Sequence, residues 1–349
     1  MKANTRQEQF LNLFPEEKAF RWKQIETALF QPQMKGWQDV TGLSKPLRET
    51  LEKEVPWISV KASGVFISNK KDTHKAILEL SDGLRMESVL MANRRGYWTI
   101  CVSSQVGCAM ACGFCATGKM GLSRSLTSDE IVDQYRFWKN YLLEHPELPQ
   151  RISNVVFMGM GEPLANYENV KKTIQTWLKY TDVGPTHITV STVGLLPVLE
   201  QILKDPEWPD ARIAISLHSA EGETRKHIVP TSHDAFLEKF QDWGRRYMEG
   251  KGTRRRHLTF EYVMLKNVND TLAHAKALAD MAIFIGKIKV NLIPYNFTDL
   301  EFQRSDDSQI QAFKDYLESR DVRVTVRKTM GDDIAAACGQ LITIGNKGK

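Results

Sequence analysis

The chain has 349 residues, of which 42% are hydrophobic and 26% are charged. Domains average roughly 150 residues, so this length predicts one large domain or two to three smaller ones. The near-average composition excludes a fibrous or intrinsically disordered chain. Lys and Arg (47) exceed Asp and Glu (42), a net charge of +5. This excess permits a polyanionic partner but does not by itself predict one.

The sequence predicts a cytoplasmic protein without membrane association, and a monomer by default. No apolar run approaches the ~18 residues that a membrane-spanning helix needs. The first residues, MKANTRQEQF, lack the apolar core of a secretion signal. Four of the five cysteines lie between residues 101 and 115, and the fifth is Cys338. In a reducing compartment this distribution favours metal-binding or catalytic thiols over a disulfide framework.

The first hundred residues predict compact helices followed by short strands. Pro46 suits the start of the second helix, and Pro56 follows its end. Three apolar-rich stretches then predict strands at 64–67, 75–80 and 85–91. The apolar residues at helical spacing are Phe20, Ile25 and Leu29 in the first helix and Leu47, Leu51 and Val55 in the second.

From Thr99 onward, strands and helices alternate. The clearest helix begins after Thr127, because Glu130 completes a capping box three residues later. The predicted strands are Thr99–Ser103, Ile152–Met158, His187–Thr192, Arg212–Leu217, His257–Leu265, Ile288–Ile293 and Val322–Val326. The other predicted helices lie near 167–179, 195–204, 234–248, 270–284 and 307–320.

This alternation predicts an α/β fold with a parallel sheet. Six or so βα units indicate a complete or partial β/α barrel, whose active site would lie at the carboxyl ends of the strands. A doubly wound open sheet is the alternative. We expect three parts along the chain: a helical region at 1–56, a β-rich connecting segment at 57–97 and the barrel at 98–349.

The strongest local signal is a C-x3-C-x2-C motif formed by Cys108, Cys112 and Cys115 after the first barrel strand. Three thiolates on one short loop can bind three irons of a [4Fe–4S] cluster and leave the fourth iron open. A zinc site needs a fourth ligand, and the neighbouring sequence has neither a second C-x2-C pair nor a histidine. A zinc loop with a distant ligand and three buried thiols are the alternatives.

This motif, with Phe114 before its last cysteine, resembles that of the radical S-adenosylmethionine (SAM) superfamily. Further motifs resemble the RlmN/Cfr family of that superfamily, over residues 20–341. They are VSSQVGC at 102–108, FMGMGEPL at 157–164, SLH at 216–218 and GDDIAAACGQL at 331–341. The resemblance implies a radical SAM partial (β/α)6 barrel with a small N-terminal helical accessory domain that binds RNA and a short β-rich extension.

The resemblance also implies site residues. Cys108, Cys112 and Cys115 match the ligands of one [4Fe–4S] cluster. Cys338 matches a methyl carrier, Cys101 a resolving thiol and Glu87 a proton acceptor. The positions that match SAM contacts are Gly161, Glu162, Ser191, Ser216, Leu217, His218 and Asn296. Without the resemblance, Glu87 is typical of an exposed strand residue, Cys101 and Cys338 of buried structural thiols, and His218 of a structural hydrogen-bonding residue.

The implied activity is methylation of adenine C2 in 23S rRNA and in tRNA at the adenosine 3′ to the anticodon. Adenine C2 is electron-poor and cannot attack the SAM methyl group as an ordinary nucleophile, whereas a thiolate can. The implied route therefore uses two SAM molecules per turnover, a methyl group carried on Cys338, a covalent protein–RNA adduct, and its release as Cys101 forms a disulfide with Cys338. A reducing electron donor such as flavodoxin would also be needed.

Three other functions stay open at this stage. The first is a Cfr-type adenine-C8 methyltransferase that confers antibiotic resistance, although Val106 and Pro163 look more like the C2 enzymes. The second is a non-catalytic RNA-binding protein with a structural metal cluster, and the third is a radical SAM enzyme for a small molecule. Candidate phosphate contacts are Lys70–Lys71, Arg94–Arg95, Arg245–Arg246 and the basic segment 251–256, although such runs are also typical of a solvated surface.

Overall fold

The structure is a computed structural model that describes residues 4–251, 258–286, 288–298 and 300–341. Its strands are β1 (Val60–Ile67), β2 (Thr73–Leu80), β3 (Arg85–Ala92), β4 (Trp98–Cys101), β5 (Gln105–Gly107), β6 (Leu122–Ser125), β7 (Ile152–Phe157), β8 (Ile188–Thr192), β9 (Arg212–Ser216), β10 (Leu258–Met264), β11 (Lys289–Pro294) and β12 (Val324–Val326). Its α-helices are α1 (Arg6–Leu13), α2 (Ala19–Leu29), α3 (Lys45–Glu54), α4 (Ala116–Lys119), α5 (Ser128–Glu144), α6 (Tyr167–Tyr180), α7 (Leu196–Lys204), α8 (Gly222–Ile228), α9 (Phe236–Lys251), α10 (Leu272–Ile285) and α11 (Asp307–Ser319).

Ten strands form one mixed sheet in the order β1-β2-β3-β4-β7-β8-β9-β10-β11-β12. The first four pair antiparallel, and the run from β4 to β12 is parallel throughout. All seven strands predicted from Thr99 onward are present, so the predicted α/β class is confirmed. The β-rich segment before them continues the same sheet, while β5 and β6 form a separate hairpin.

The parallel part of the sheet curves into a partial barrel. Cys101 at the end of β4 and Arg327 just after β12 line one cavity, although five strands lie between theirs in the sheet. Within the described residues β4 and β12 do not pair with each other, so the barrel is not closed. The helices that follow the strands cover its outside with buried aromatic side chains, among them Trp138, Trp177 and Trp243. The capping box predicted at Thr127 and Glu130 starts α5.

The N-terminal helices have a small core of their own. Eleven buried residues between Phe10 and Val55 form a cluster that is separate from the barrel core. The prediction that Phe20 lies on the buried face of α2 is wrong, because Phe20 is 49% exposed and Trp22 is buried instead. The helix begins at Ala19, so the buried face is set by Trp22, Ile25 and Leu29 at three- and four-residue spacing. The domain boundary at residue 56 stays a prediction.

A buried ion network joins these helices to α5. Asp133 accepts from Arg6 Nη1 and Arg136 Nη1, each at 2.6 Å, and from the Ser59 backbone N–H at 2.6 Å. The Nε of Arg136 donates in turn to the Leu29 carbonyl at 2.8 Å. Burial alone would raise the pKa of Asp133, but the two guanidiniums outweigh burial and hold that pKa well below its usual range.

Replacing Asp133 with Asn should lower the free energy of unfolding by about 3–5 kcal/mol near neutral pH, because the buried Arg136 would lose its counter-charge and the buried Arg6 would keep only its longer contact with Asp129. A depressed carboxyl pKa stabilises the fold above its ordinary value of 3.8 and loses that contribution as the pH falls through the folded value. The difference from wild type in urea unfolding should therefore shrink in acid. Asp280→Asn, which breaks an exposed pair with Arg320, should cost at most about 1 kcal/mol. A deficit for Asp133→Asn that did not change with pH would contradict the assignment.

Two further observations bear on the sequence expectations. None of the described helices combines the length and the apolar character needed to cross a membrane. Residues 252–256 of the basic segment lie outside the described residues. The adjacent Arg246 pairs with Glu200 and Asp242 on the outer surface, so in this structure it is already neutralised.

Candidate active site

A cleft lies at the carboxyl ends of the parallel strands, where the sequence predicts the site. It encloses about 890 Å³ with its open mouth, within the ~300–1,000 Å³ range of ligand sites. The predicted residues that line it are Cys108, Cys112, Cys115, Gly161, Glu162, Ser191, Ser216, His218, Asn296 and Cys338. Residues spread over more than two hundred positions of the sequence thus meet in one place. The side chain of Leu217 lies elsewhere, fully buried in the core.

The three-cysteine loop runs from β5 to α4 and is fixed at both ends and in the middle. The Cys108 N–H donates to the Gly121 carbonyl at 2.9 Å, and the Gly113 N–H to the Ile228 carbonyl at 2.9 Å. Gly107 has φ +77°, and a Cβ there would lie 1.9 Å from the Gly121 oxygen. Only glycine fits this turn, which brings the loop back along β6.

The three thiols are largely shielded from water. Burial raises the pKa of Cys108 to about 12 and raises the pKa values of Cys112 and Cys115, and repulsion among the thiolates adds to the effect for Cys108 and Cys112. In the absence of a metal these groups keep their protons, and a bound metal would replace the protons. Among the described residues no three His, Cys, Asp or Glu side chains converge on a single metal-ion position.

Glu162 ties together the loops that follow two neighbouring strands. Its Oε1 accepts from the Leu164 N–H and its Oε2 from the Val193 N–H, each at 2.9 Å. The carboxyl group is buried, and burial raises its pKa. The Thr192 side chain is a third hydrogen-bond partner, and a carboxylate accepts up to about four hydrogen bonds, so the group can still accept from a ligand in the cleft.

Gly161 brings its backbone unusually close to β5. It has φ +98°, and a Cβ at this position would lie 2.5 Å from the Cβ of Gln105. Gln105 also accepts from the Glu162 N–H at 2.8 Å through Oε1. Glycine is required at position 161, because it alone can adopt this conformation without displacing Gln105.

The ends of β8 and β9 supply polar groups to the same wall. The hydroxyls of Ser191 and Ser216 lie 3.2 Å apart. His218 accepts from the Val263 N–H at 3.1 Å through Nδ1, which leaves Nε2 as the protonated nitrogen of the neutral ring. Burial, with a smaller contribution from Arg225, lowers the pKa of His218 to about 3. His218 is thus both a structural hydrogen-bonding residue and a neutral side chain of the cleft.

The loop that carries Cys338 (residues 331–341, here the C-terminal loop) is held against the cleft. Asn296 Nδ2 donates to the Cys338 carbonyl at 3.1 Å, and Gln340 Nε2 donates to the Phe297 carbonyl at 3.0 Å. The Ala116 N–H, next to the last cysteine of the three-cysteine loop, donates to the Gly339 carbonyl at 2.8 Å. The two cysteine-bearing loops are therefore in direct contact.

Cys101 and Cys338 line a second cavity, the thiol cavity, that joins the cleft. Met158, Ile293, Asn296 and Cys338 belong to the walls of both. Cys338 is exposed inside this space, whereas Cys101 is 6% exposed. Desolvation by the surrounding protein raises the pKa of both thiols, and the Arg327 guanidinium opposes this effect at each.

Glu87 is buried, contrary to the expectation of an exposed strand residue. On β3 it shares a face with Val89, whose partner across the ladder is Cys101. Its Oε1 lies 3.3 Å from Lys75 Nζ, and Lys75 donates to the Ala335 carbonyl at 3.1 Å. A buried carboxylate is tolerated where it is paired with a cation. The expectation that Glu87 is exposed failed because this cation lies on β2, the neighbouring strand, and not in the sequence around Glu87.

Comparison with known proteins is consistent with this geometry. The sequence pattern of the radical SAM superfamily matches residues 102–278. A dual-specificity RNA methyltransferase RlmN from Alcanivorax borkumensis is 39% identical over 339 residues, which cover 93% of this chain and 85% of that protein. The chain belongs to the RlmN family of radical SAM RNA methyltransferases.

Two further relatives support the same family assignment. A probable dual-specificity RNA methyltransferase RlmN from Dictyoglomus turgidum is 39% identical, with 95% of this chain and 94% of that protein covered. The crystal structure of a radical SAM methyltransferase from Sphaerobacter thermophilus superposes with a TM-score of 0.86 at 34% identity, and 97% of each chain is covered. The match therefore includes the N-terminal helices and the C-terminal loop as well as the barrel.

The radical SAM family implies a [4Fe–4S] cluster and SAM, and the residues of the cleft fit both. Three thiols supply the donor atoms. In a cluster each thiolate binds a different iron, so the three sulfurs do not need to converge on one ion. Beside Cys112 lies the Arg225 guanidinium, which is 1% exposed and whose Nε and Nη1 find no hydrogen-bond partner among the described residues. A buried cation of this kind suits the negative charge that three thiolates bring.

Two residues of the site escaped the sequence analysis. Glu261 lines the cleft from β10, where its Oε1 accepts from Asn291 at 2.7 Å and from Arg327 at 3.1 Å. Its Oε2 is buried and has no hydrogen-bond partner within the described part of the chain. A lone charged residue in the otherwise uncharged strand 258–264 was a signal that could have found it. Arg327 follows a three-residue strand, and nothing in its sequence context distinguishes it.

Replacing Gly161 with Ala should strongly impair SAM cleavage. The added methyl group would push Gln105 or the backbone away at a strained φ, and a displacement of about 1 Å in an active site can cost about a hundredfold in rate. Formation of 5′-deoxyadenosine by the reconstituted enzyme measures the effect, with iron content expected to stay at the wild-type level. Gly42→Ala, where no atom lies within 4 Å of the new Cβ, serves as the control. Normal SAM cleavage by Gly161→Ala would contradict the close approach of this backbone to the ligand.

Proposed function

We propose that this RNA methyltransferase transfers a methyl group to adenine C2, in 23S rRNA and in tRNA at the adenosine 3′ to the anticodon. The observation that carries the proposal is the thiol cavity, in which Cys101 and Cys338 share walls with the cleft of the three-cysteine loop. A non-catalytic RNA-binding protein has no need for two additional thiols at this place. The activity would depend on a reducing protein such as flavodoxin, and a monomer suffices for it.

In this proposal the cleft holds both cofactors. Cys108, Cys112 and Cys115 would bind the [4Fe–4S] cluster, and Glu162 and the backbone at Gly161 would bind SAM together with Ser191, Ser216, His218 and Asn296. When bound and reduced, the cluster and SAM supply the radical that activates a methyl group. The chain's own residues then have three tasks, which are to carry the methyl group, to take a proton and to release the product.

Cys338 carries the methyl group as a thioether. Its sulfur is accessible in the cavity, and the C-terminal loop is pinned by Asn296 and Gln340, so that a methyl group on it would lie at the junction of cleft and cavity. Loss of one hydrogen atom from this methyl group to the radical would leave a methylene on the Cys338 sulfur, and its addition to adenine C2 would link the RNA to Cys338. The adduct would then lose the C2 proton to a base, a role that we assign to Glu87, and one electron to the oxidised cluster.

Cys101 releases the product. Attack of its sulfur on Cys338 would form a disulfide and break the bond between the Cys338 sulfur and the methylene carbon, which leaves with a proton as the new methyl group. External reductant restores the two thiols. Glu87 supports this arrangement from the same face of the sheet, and the contact of Lys75 with Ala335 couples it to the C-terminal loop.

The deciding experiment is nucleoside analysis by mass spectrometry. The anaerobically reconstituted protein is incubated with methyl-labelled SAM, reductant and separate samples of 23S rRNA and tRNA from a host that lacks its own enzyme. Labelled 2-methyladenosine is the expected product, and the RNA that carries it identifies the substrate. Labelled 8-methyladenosine would show Cfr-type specificity instead. Ready SAM cleavage without labelled adenosine would overturn the proposed substrate.

A further inference from the structure

A third cavity, which we call the amino-end cavity, lies at the opposite end of the barrel from the cleft. It is lined by six basic residues, Arg94, Arg212, Lys289, Arg323, Arg327 and Lys328, and encloses about 1800 Å³ with its open mouth. Arg212 and Lys289 begin β9 and β11, and Arg323 directly precedes β12. Because parallel strands begin at a common edge, Arg212, Lys289 and Arg323 gather at the amino end of the barrel, and Arg327 and Lys328, which follow β12, line the same cavity further along.

The positive charge of the amino-end cavity is almost uncompensated. Among its described lining residues Glu261 is the single acid, and it pairs with Arg327. Within the part of the chain that the structure describes, the other five cations have no acidic partner at salt-bridge distance. Burial and then the neighbouring guanidiniums, Arg327 foremost, lower the pKa of Lys289. A concave surface that keeps several unpaired cations close together attracts polyanions.

The amino-end cavity continues into the thiol cavity. Ala92, Arg327, Lys328 and Met330 line both spaces. The thiol cavity in turn shares the wall of the cleft, so one channel follows the barrel axis. Basic residues lie at its amino end, the two thiols in the middle and the three-cysteine loop at its carboxyl end. A substrate that enters from the basic end reaches Cys338 on the side opposite to the cofactors.

We propose that the amino-end cavity is the entry path of the RNA, where the phosphates flanking the target nucleotide bind Arg94, Arg212, Lys289, Arg323 and Lys328. The target base, turned out of its stack, would pass Arg327 into the thiol cavity. This inference rests on the proposed function, because it takes RNA as the substrate. Phosphate contacts carry no sequence information and fix only position, which suits a site for two different RNAs.

The chemistry of the channel changes along its length in the order that a nucleotide requires. Phosphates need cations, which line the entrance, and the base needs an apolar, deformable surround. Met91, Met158 and Met330 line the thiol cavity, and methionine provides such a surface. An acidic electron-transfer protein would also be attracted by the cations, but it must approach the three-cysteine loop, which lies at the other end of the channel.

The test compares two triple variants of equal charge change. One combines Arg212→Gln, Lys289→Gln and Arg323→Gln in the amino-end cavity. The other combines Arg304→Gln, Lys314→Gln and Arg320→Gln, whose cations form salt bridges on the outer surface in and around α11. Binding of a fluorescently labelled, adenosine-containing RNA stem-loop is measured by anisotropy over a salt series. The cavity variant should bind about tenfold more weakly or worse, with the slope of log K against log salt reduced by about two to three. The outer variant should stay within about twofold of wild type.

Binding is read without turnover, so the two proposals can fail separately. If no methyladenosine forms but the cavity variant alone loses binding, the RNA path stands and the proposed function falls. If wild type methylates RNA while both variants bind and methylate alike, the path is wrong and the function stands. Equal losses of RNA affinity in both variants, or no RNA binding by wild type, would also overturn the proposed entry path. So would a cavity variant that binds RNA normally but loses SAM cleavage driven by reduced flavodoxin while keeping cleavage driven by a chemical reductant.

Discussion

Cys338→Ala should form no detectable methyladenosine, because the proposed route has no other atom to carry the methyl group. The thiol is exposed in the cavity, so its removal leaves the packing almost unchanged and the free energy of unfolding within about 0.5 kcal/mol of wild type. Methyl-labelled SAM should leave no label on the protein, and no RNA should become linked. The anionic RNA should still bind, since its phosphate contacts lie in the amino-end cavity.

Cys338→Ser is the matched control for shape. Its hydroxyl fills nearly the same volume and keeps the loop contacts made by the main chain, including the hydrogen bond from Asn296 to the residue 338 carbonyl. A serine hydroxyl is a far weaker nucleophile than a thiol at neutral pH, so this variant should also form no product. Methylation by either variant at a rate near that of wild type would show that Cys338 is not the carrier.

Local sequence patterns predicted those parts of the fold in which neighbouring residues decide the structure. Apolar stretches between helical segments located every strand of the parallel sheet, and the Thr127 capping box located the start of α5. The hairpin of β5 and β6 was missed because strands of three and four residues carry too little alternation to recognise. The first helix, α1, was missed although Thr5 and Glu8 form a capping box, since it is only eight residues long.

The site shows the same division between local and non-local information. The three-cysteine loop could be identified because its ligands are contiguous, and the residues at strand ends could be identified through family motifs. Glu87 was misjudged from its own sequence context because Lys75, which makes its burial tolerable, lies on another strand. The importance of Arg327 arises only when the sheet curves and brings the end of β12 to Cys101. Properties created by barrel curvature have no signature in a local pattern.

Cys101→Ala should accumulate a covalent complex of protein and RNA. The methyl carrier and the base remain in this variant, so the steps up to carbon–carbon bond formation proceed, but among its described lining residues the thiol cavity has no second thiol to break the link. On a denaturing gel the label from methyl-SAM should migrate with an RNA–protein species and return to the position of a nearly unmodified protein after nuclease treatment. Turnover should stop after about one equivalent per enzyme.

The double variant Cys101→Ala/Cys338→Ala is the decisive control for the trapped complex. It lacks the carrier, so it should form no adduct, and any RNA that still comigrates with it is bound in another way. Cys101 lies within the barrel core with 6% of its surface exposed, and its truncation should lower the free energy of unfolding by about 1–2 kcal/mol, which a folded enzyme of this size tolerates. If Cys101→Ala released methyladenosine over many turnovers, the disulfide-forming release would be wrong, and the pairing of the two thiols in one cavity would need another explanation.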